Sequence, residues 1–383
     1  MRVLIAGAGP GGLALAQRLG RAGVTATVLE RDAAVDARAQ GYRLTVNADG
    51  GGALRECLPP ELFALFRATS GRPDGGRVVM YGSDFAERSV RTAAPAHPYT
   101  SVDRLTLRRV LLTGLRPRFG AAVTGFARTD RGVRARLADG TEVAGDLLVA
   151  ADGAGSALRR ALLPGAALTD LGVRCVWGRT DLAAVPEIAD EPAWSNRVSA
   201  FTGPGGRTLV AGAWRPATAP EAAAAAVPGA CLPPVAPYVM WALMVPGAEP
   251  LPGDLHAYVR AAVAGWDGRL RTLVARGGGC FTVPIRVALP VPPWRPGRVT
   301  LLGDAIHAMT PAGGTGANTA LRDAALLGGL LDDAVRGGGG VVGAVAAYEE
   351  RMRAYGFAAV ARSRAYGADR GGPRAAEPEE ARP

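Results

Sequence analysis

The stretch Arg2–Glu30, "RVLIAGAGPGGLALAQRLGRAGVTATVLE", decides how the first part of the chain folds. The apolar run "RVLIAG" predicts a strand, and the Leu/Ala spacing of "LALAQRLGRAG" predicts an amphipathic helix. The glycine turn "GAGPGG" lies between them, and a second apolar run, "TATVLE", ends in an acid. Strand, glycine turn, helix and strand in this order predict a dinucleotide-binding unit.

Each glycine of the turn has a separate physical role in such a unit. Gly7 permits the tight turn, Gly9 lets a pyrophosphate approach the backbone, and Gly12 lets the helix pack closely on the strand. Glu30 ends the second strand, where an acid can accept hydrogen bonds from the ribose hydroxyls of the adenosine half. FAD and NAD share that half, so this stretch does not choose between them, and a glycine-rich turn without a ligand is the alternative.

Composition narrows the class of protein. The chain has 383 residues, 48% of them hydrophobic and 20% charged, which predicts a soluble globular protein of about two domains. The net charge is +10, but every cation is an arginine and the arginines are spread along the chain, which argues against nucleic-acid binding. No apolar run has the length of a membrane span and the first residues lack a cleavable signal, so we expect a cytoplasmic protein. The four cysteines are far apart and none forms a C-x-x-C pair, so we expect no metal site.

Two later stretches repeat the pattern of a strand followed by an acid and a helix. The first is "DLLVAADGAGSALR", residues 146–159, which taken alone is equally compatible with an ordinary turn and helix cap. The second is "GRVTLLGDAIHAMTPAGGTGANTALRDAALL", residues 297–327. Its strand brings Asp304 to the carboxyl end of a sheet, where a carboxylate suits the hydroxyls of a ribityl chain. The loop Pro311–Asn318 would expose backbone N–H groups to a ring oxygen that gains negative charge on reduction.

These three motifs, in this order, resemble the single-component (group A) FAD-dependent aromatic hydroxylases of the para-hydroxybenzoate hydroxylase fold. A softer match is "RLTLRRVLL", whose Arg104 corresponds to an arginine that lies against the cofactor in that family. The resemblance implies an α/β fold: a Rossmann-like FAD-binding domain of the GR2 type, an inserted and largely antiparallel β-sheet substrate domain, and a C-terminal helix. It also implies that FAD is the cofactor and that NADPH or NADH is a transient co-substrate.

The resemblance assigns roles residue by residue. Pro311 and Arg43 would lie at the reacting flavin ring and are the candidate catalytic residues. The candidate cofactor-binding residues are Gly7, Gly9, Pro10, Gly11, Gly12, Glu30, Arg31, Arg43, Arg104, Asp152, Arg159, Gly303, Asp304, Pro311, Gly314, Gly316, Ala317 and Asn318. His307 is interpreted as a structural histidine that positions the loop, since no carboxylate-rich pattern accompanies it.

Strand-like runs between the motifs predict the substrate domain. They occupy residues 77–82, 172–178, 207–214, 238–245 and 280–285, and Gly and Pro bound them. We predict that residues 1–70, 100–165 and 287–335 form the FAD-binding domain and that 71–99 and 166–286 form the substrate domain. Residues 341–368 would form the C-terminal helix and 369–383 a flexible tail. Large apolar residues of this region are candidates for the pocket, although most such residues are core: Trp177, Phe201, Trp214, Met240 and Phe281.

The resemblance implies a monooxygenase that uses NAD(P)H and O2 to hydroxylate an apolar, aromatic or polycyclic small molecule through a flavin C4a-hydroperoxide. A reductase or epoxidase of the same fold, and a flavin-binding protein without turnover, are the alternatives. A monomer or weak dimer with no nucleic-acid partner and no membrane span is expected.

Overall fold

A computed structural model of the chain describes residues 1–37, 42–72, 77–92, 100–195 and 198–368. The strands in these ranges are β1 (Arg2–Ala6), β2 (Thr25–Leu29), β3 (Arg43–Val46), β4 (Arg77–Gly82), β5 (Glu87–Thr92), β6 (Thr100–Asp103), β7 (Val123–Arg128), β8 (Val133–Leu137), β9 (Glu142–Gly145), β10 (Leu147–Ala150), β11 (Leu168–Asp181), β12 (Val198–Thr202), β13 (Thr208–Trp214), β14 (Tyr238–Pro246), β15 (Gly278–Ala288) and β16 (Val299–Leu301). The α-helices are α1 (Pro10–Arg21), α2 (Ala48–Cys57), α3 (Pro60–Ala68), α4 (Arg104–Leu112), α5 (Ala157–Leu162), α6 (Pro220–Ala224), α7 (Leu255–Ala262), α8 (Gly268–Ala275), α9 (Asp304–His307), α10 (Gly316–Arg336) and α11 (Val341–Ala368).

A four-stranded parallel sheet, in the order β16-β10-β1-β2, carries the three motifs. Its central strand β1 is buried from Val3 to Ala6, because α1 and α10 pack on the sheet and shield these apolar side chains. The strand, glycine turn, helix and strand predicted for residues 2–30 are confirmed as β1, α1 and β2.

A second sheet has seven strands in the order β15-β11-β14-β13-β12-β4-β5. Every pair in it is antiparallel except β12 with β4, which confirms a largely antiparallel sheet beside the Rossmann-like one. All five strand-like runs of the sequence lie in this sheet, within or nearly within β4, β11, β13, β14 and β15. The domain boundaries stay a prediction, and the proposed tail, 369–383, lies outside the described residues.

Two small sheets complete the strands of the described ranges. Strands β7, β8 and β9 form an antiparallel meander, and β3 pairs with β6 in an antiparallel ribbon. Helix α11 covers the predicted 341–368 and packs on α10. Among the described helices, none combines the length and apolar character needed to cross a membrane.

Candidate cofactor and substrate site

The carboxyl ends of the four parallel strands form the floor of the candidate site. In the register of the sheet, Ala6 lies beside Leu29 and Ala150, and Ala150 lies beside Leu301. The turns that follow these strands therefore emerge along one edge. They carry the glycine loop, Glu30, Asp152 and Asp304, so sequence segments up to about 300 residues apart meet at one place.

The glycine loop has the shape that the sequence predicts. Gly7 adopts φ +111°, which an L side chain rarely adopts. A Cβ on Gly12 would overlap the carbonyl oxygen of Gly7, and one on Gly11 would meet Leu302 at 2.6 Å. A Cβ on Gly9 would meet nothing within 4 Å. Protein atoms therefore fill the space beside Gly11 and Gly12, whereas the space beside Gly9 is open. Gly9 is the N-cap residue of α1, which begins at Pro10.

Glu30 is buried beneath this loop and holds its shape. Its Oε2 accepts a hydrogen bond from the backbone N–H of Ala8 at 2.6 Å, and its Oε1 accepts one from Asp32 at 2.9 Å. Arg31, next to it, is exposed at the rim, with 53% of its side chain accessible. A carboxylate oxygen can accept more than one hydrogen bond, so Glu30 keeps capacity for a hydroxyl donor.

Arg108 on α4 is a site residue that the sequence analysis missed. Its guanidinium is 4% exposed, donates to the Ala8 carbonyl at 2.9 Å and lies 3.4 Å from the Glu30 carboxylate. Arg108 stands four residues after the predicted Arg104, on the same helical face, and that spacing was the available signal. Arg104 itself is half-buried, and its charge lies near Asp304 and lowers the pKa of that carboxyl.

The second motif places Asp152 and Arg159 differently. Asp152 Oδ2 accepts from the Ala157 N–H at 3.0 Å, while its buried Oδ1 has no hydrogen-bond partner, and burial raises the pKa of the carboxyl. Arg159 is 4% exposed and donates to the carbonyls of Ala166, Ala305 and Ala154. Arg159 therefore fixes the backbone next to Asp304, and its contacts are with protein.

Asp304 follows β16 and is the first residue of α9. Its side chain is accessible, yet protein surrounds it closely enough that desolvation raises the pKa of its carboxyl, against the lowering effects of His307 and Arg104. Gly303 before it adopts φ +65°, and its N–H is bound by Asp323. The carboxylate lies close to Gly316, at the start of α10.

The loop between α9 and α10 ends in a free helix start. Pro311 is exposed and forms a turn with Gly314, whose φ is +62°. Helix α10 begins at Gly316, so the N–H groups of Gly316, Ala317 and Asn318 belong to the first turn, where no carbonyl of the helix can accept them. The partial positive charge of a helix start favours an electron-rich ligand here.

Asn318 connects this loop to β3 with its side chain. The amide nitrogen donates to the carbonyls of Thr45 and Gly314 at 2.9 and 2.8 Å, and the amide oxygen accepts from the Asn47 N–H at 3.0 Å. The side chain is therefore committed to protein contacts, which leaves the backbone N–H as the group that Asn318 would offer to a cofactor. Strand β3 is thereby fixed against the loop.

His307 is the structural histidine that the sequence indicates. It is fully buried, and its Nε2 lies 2.6 Å from Asp323 Oδ2, which also accepts the Gly303 N–H. Asp323 Oδ1 accepts from the Tyr355 hydroxyl on α11. Burial lowers the pKa of His307, but the carboxylate of Asp323 outweighs it and raises the pKa above its ordinary value.

Arg43 lies between the parallel and antiparallel sheets. Its Nε donates to the Ala213 carbonyl of β13 at 2.9 Å, and its terminal nitrogen donates to Thr45 Oγ1 at 3.0 Å. Thr45 in turn lies against Gly314 of the loop that carries Pro311. The hydrogen bond to Thr45 therefore links Arg43 to that loop. The two candidate catalytic residues, Arg43 and Pro311, therefore lie on either side of the contact between β3 and this loop.

An aromatic wall, defined here as Tyr42, Trp177 and Phe281, is formed by the residue just before β3 and by two residues of the large sheet. The rings of Trp177 and Phe281 are stacked with centroids 6.5 Å apart, and those of Tyr42 and Phe281 are 5.8 Å apart. All three side chains are half-buried. Behind the wall lie the buried Trp214, Tyr238 and Met240.

The structure corrects one substrate candidate, Phe201. It is fully buried and packs with Phe85 and Trp194 in a different apolar cluster, to which α7 and α8 also contribute. Residues along each strand alternate between the two faces, and Phe201 belongs to the face turned away from Trp177, Trp214, Met240 and Phe281. Phe201 is core.

These observations fit FAD. The open space at Gly9 would admit a pyrophosphate, and the accessible carboxylate of Asp304 would accept hydrogen bonds from ribityl hydroxyls. The unpartnered first-turn N–H groups of α10 are donors for a ring oxygen. Within the described residues, no group of three or more His, Cys, Asp or Glu is arranged to hold a metal ion.

Comparison with known proteins identifies FAD-binding proteins and monooxygenases as relatives of the chain. A family model described as "FAD binding domain" matches residues 1–206 and 286–363. A dual O-methyltransferase/FAD-dependent monooxygenase (elcB) of Phaeosphaeria nodorum is 33% identical in an alignment of 427 positions, which covers 94% of this chain and 45% of that protein. A 3-amino-4-hydroxybenzoate 2-monooxygenase of Streptomyces platensis is 28% identical, covering 86% of this chain and 79% of that protein.

Among solved structures, an FAD-containing protein of Photorhabdus luminescens, assigned as a monooxygenase, superposes with a TM-score of 0.80. It is 29% identical, and the match covers 97% of this chain and 98% of that one. The first curated relatives are longer: this chain spans about half of their length.

Proposed function

The chain belongs to the FAD binding domain family of flavoproteins, and from this premise we propose that it is an NAD(P)H- and O2-dependent monooxygenase of an apolar aromatic or polycyclic small molecule. The observation that carries the proposal is the position of β3. On one side Thr45 contacts Gly314 and Asn318 of the cofactor loop, and on the other Tyr42 contacts Phe281 of the aromatic wall. A ring held by the loop would thus face an apolar surface.

The roles of individual residues follow from their contacts. The glycine loop and Glu30, held in place by Arg108, would bind the adenosine diphosphate half, with Arg31 and Asp152 at its margins. Asp304 would accept hydrogen bonds from the ribityl hydroxyls. The N–H groups at the start of α10 would stabilise negative charge on the ring, with Pro311 beside it. Gly303, Arg104 and Arg159 would keep Asp304 in place.

When bound, FAD would take electrons from NAD(P)H and activate O2 for the transfer of one oxygen atom. The protein would contribute orientation and a dry surface. The aromatic wall and the buried Trp214 and Met240 behind it would exclude water from the reacting groups. Arg43 would add a fixed positive charge at the boundary between cofactor and substrate.

The named relatives support the reaction type, since two of those described above are monooxygenases by name. The proposal includes a cytoplasmic location, a monomeric or weakly dimeric state, and either NADPH or NADH as the co-substrate. The rival reading is a flavoprotein of this fold without oxygen transfer, such as a reductase or a binding protein.

The test is oxidation of NADPH and of NADH in air by the FAD-loaded protein, with and without a panel of phenols and polycyclic aromatics, with products analysed by mass. We expect at least one substrate to stimulate oxidation and to gain one oxygen atom. Stimulation without an oxygenated product, or none across the panel, would favour the rival reading.

Asp304→Asn tests the cofactor assignment in the same preparation. Loss of a charged acceptor for hydroxyl groups should weaken FAD binding about tenfold or more, since hydrogen bonds to charged groups contribute roughly 1.5–3 kcal/mol. Asp333→Asn is the matched control, because Asp333 is an exposed aspartate of α10. Equal FAD content in the two variants would contradict the assignment of Asp304.

A further inference from the structure

One cation lies within the aromatic surface of the candidate substrate site. The Arg179 guanidinium carbon is 5.3 Å from the ring centroid of Tyr238 and 5.9 Å from that of Tyr42. Arg179 follows Trp177 by two residues on β11, so both side chains project from the same face of the sheet. Directly opposite Arg179 on β14 is Met240, which lies behind the aromatic wall.

The N–H donors of Arg179 are not used by the residues that the structure describes. Within the described part of the chain its guanidinium makes no hydrogen bond, whereas those of Arg43, Arg108 and Arg159 all donate to backbone carbonyls. The nearest acid is Asp181, whose Oδ1 lies 3.7 Å from Nε, beyond hydrogen-bonding distance. That contact leaves the two terminal nitrogens of the guanidinium without an acceptor.

The contact with Asp181 contributes little. Both side chains are more than a third exposed, at 38% and 46%, and exposed ion pairs at this distance add little to stability. The two rings instead hold the guanidinium in place through cation–π contacts, which restrict its orientation without occupying its N–H groups. A half-covered guanidinium with unused donors is suited to a carboxylate, which accepts two parallel hydrogen bonds.

We propose that Arg179 selects aromatic substrates that carry a carboxylate group, with the rings of the substrate against Tyr42 and Phe281 and the carboxylate bound by the terminal nitrogens of Arg179. This inference rests on the proposed function for the location of the site. It adds to that function a negatively charged group on the substrate and the residue that would bind this group. Arg179 is a specificity residue here, not a participant in oxygen transfer.

The experiment measures binding, so that it does not depend on turnover. FAD-loaded protein is titrated calorimetrically with 2-naphthoate and with 2-naphthamide, which have the same rings but differ in charge. We expect the wild-type protein to bind the acid about ten- to a hundredfold more tightly than the amide, the range that a charge-assisted bidentate contact supplies. The preference should weaken at high salt.

Arg179→Gln should abolish the preference for the acid and leave the dissociation constant of the amide unchanged. Arg179→Lys should restore part of it, because the charge returns without the planar fork. Arg286→Gln is the control: this exposed arginine of the neighbouring β15 gives the same change in net charge, and the preference should persist.

Equal affinity of the wild-type protein for acid and amide would overturn the proposal, as would a preference that survives in Arg179→Gln or binding of neither compound at millimolar concentration. FAD content and substrate-stimulated NADPH oxidation are recorded on the same samples. Failure of oxygen transfer with an intact acid preference would count against the proposed reaction and not against Arg179.

Discussion

Gly9 and Gly12 belong to one turn, but the surroundings of their missing side chains differ. Gly9 faces open space and has φ −75°, which alanine adopts readily, whereas a methyl group on Gly12 would overlap the Gly7 carbonyl oxygen. We predict that Gly9→Ala changes the free energy of unfolding of the FAD-free protein by less than about 1 kcal/mol, the scale of a helix-cap effect. Its FAD affinity should nevertheless fall, because the methyl group enters the space left for the pyrophosphate.

Gly12→Ala should show the opposite pattern, with destabilisation of the FAD-free protein by roughly 1–3 kcal/mol from overpacking. Urea unfolding and FAD titration of both variants make the comparison. A Gly9→Ala protein that binds FAD normally would show that the open space at Gly9 is not the pyrophosphate site.

Helix α11 packs on the parallel sheet through a buried acid, Glu349. Its Oε1 accepts a hydrogen bond from Thr300 of β16 at 2.8 Å, while its Oε2 is buried and makes no hydrogen bond to the residues that the structure describes. The side chain is 3% exposed, and burial raises the pKa of Glu349 to about 7. Because the raised pKa means that the folded state binds this proton more tightly than the unfolded state, its contribution to stability is lost as the pH rises from about 4.5 to 7.

We therefore predict that Glu349→Gln, which keeps the shape and the contact with Thr300, stabilises the protein at pH 8 by about 1–3 kcal/mol and much less at pH 5. Urea unfolding at the two pH values measures the difference. Glu350→Gln, at the exposed neighbouring position, should have little effect at either. A stabilisation of equal size at both pH values would rule out titration of Glu349 as its cause.

Elements with local and strict geometry could be predicted from the sequence, and those whose surroundings are set by other elements could not. The glycine loop, Glu30 and Asp304 follow strands and turns that their own neighbours determine. The sequence could not separate Phe201 from the other pocket candidates, because the large sheet has apolar clusters on both sides and alternation alone does not distinguish them. Arg108 was not identified from the sequence because its role depends on contacts with Ala8 and Glu30, which are about 100 and 80 residues away in the chain.

The short strand β3 is one of the elements that join the cofactor and substrate regions. β3 receives the Asn318 side chain from the cofactor loop, and Arg43 donates to β13 of the large sheet. The hydroxyl of Tyr42, just before β3, donates to the Gly279 carbonyl of β15. These contacts are the physical route by which binding at the loop would restrict the position of the large sheet.

Hydrogen exchange with and without FAD tests this connection. We expect FAD to slow amide exchange in β3, in β13 near Ala213 and in β15 near Gly279, as well as in the glycine loop, because local opening of β3 must break contacts that the bound cofactor reinforces. The meander β7–β9 should change little. In Tyr42→Phe, which removes only the hydroxyl contact, the effect should be lost from β15 and retained in β3. Protection confined to the parallel sheet would mean that the two regions respond to FAD independently.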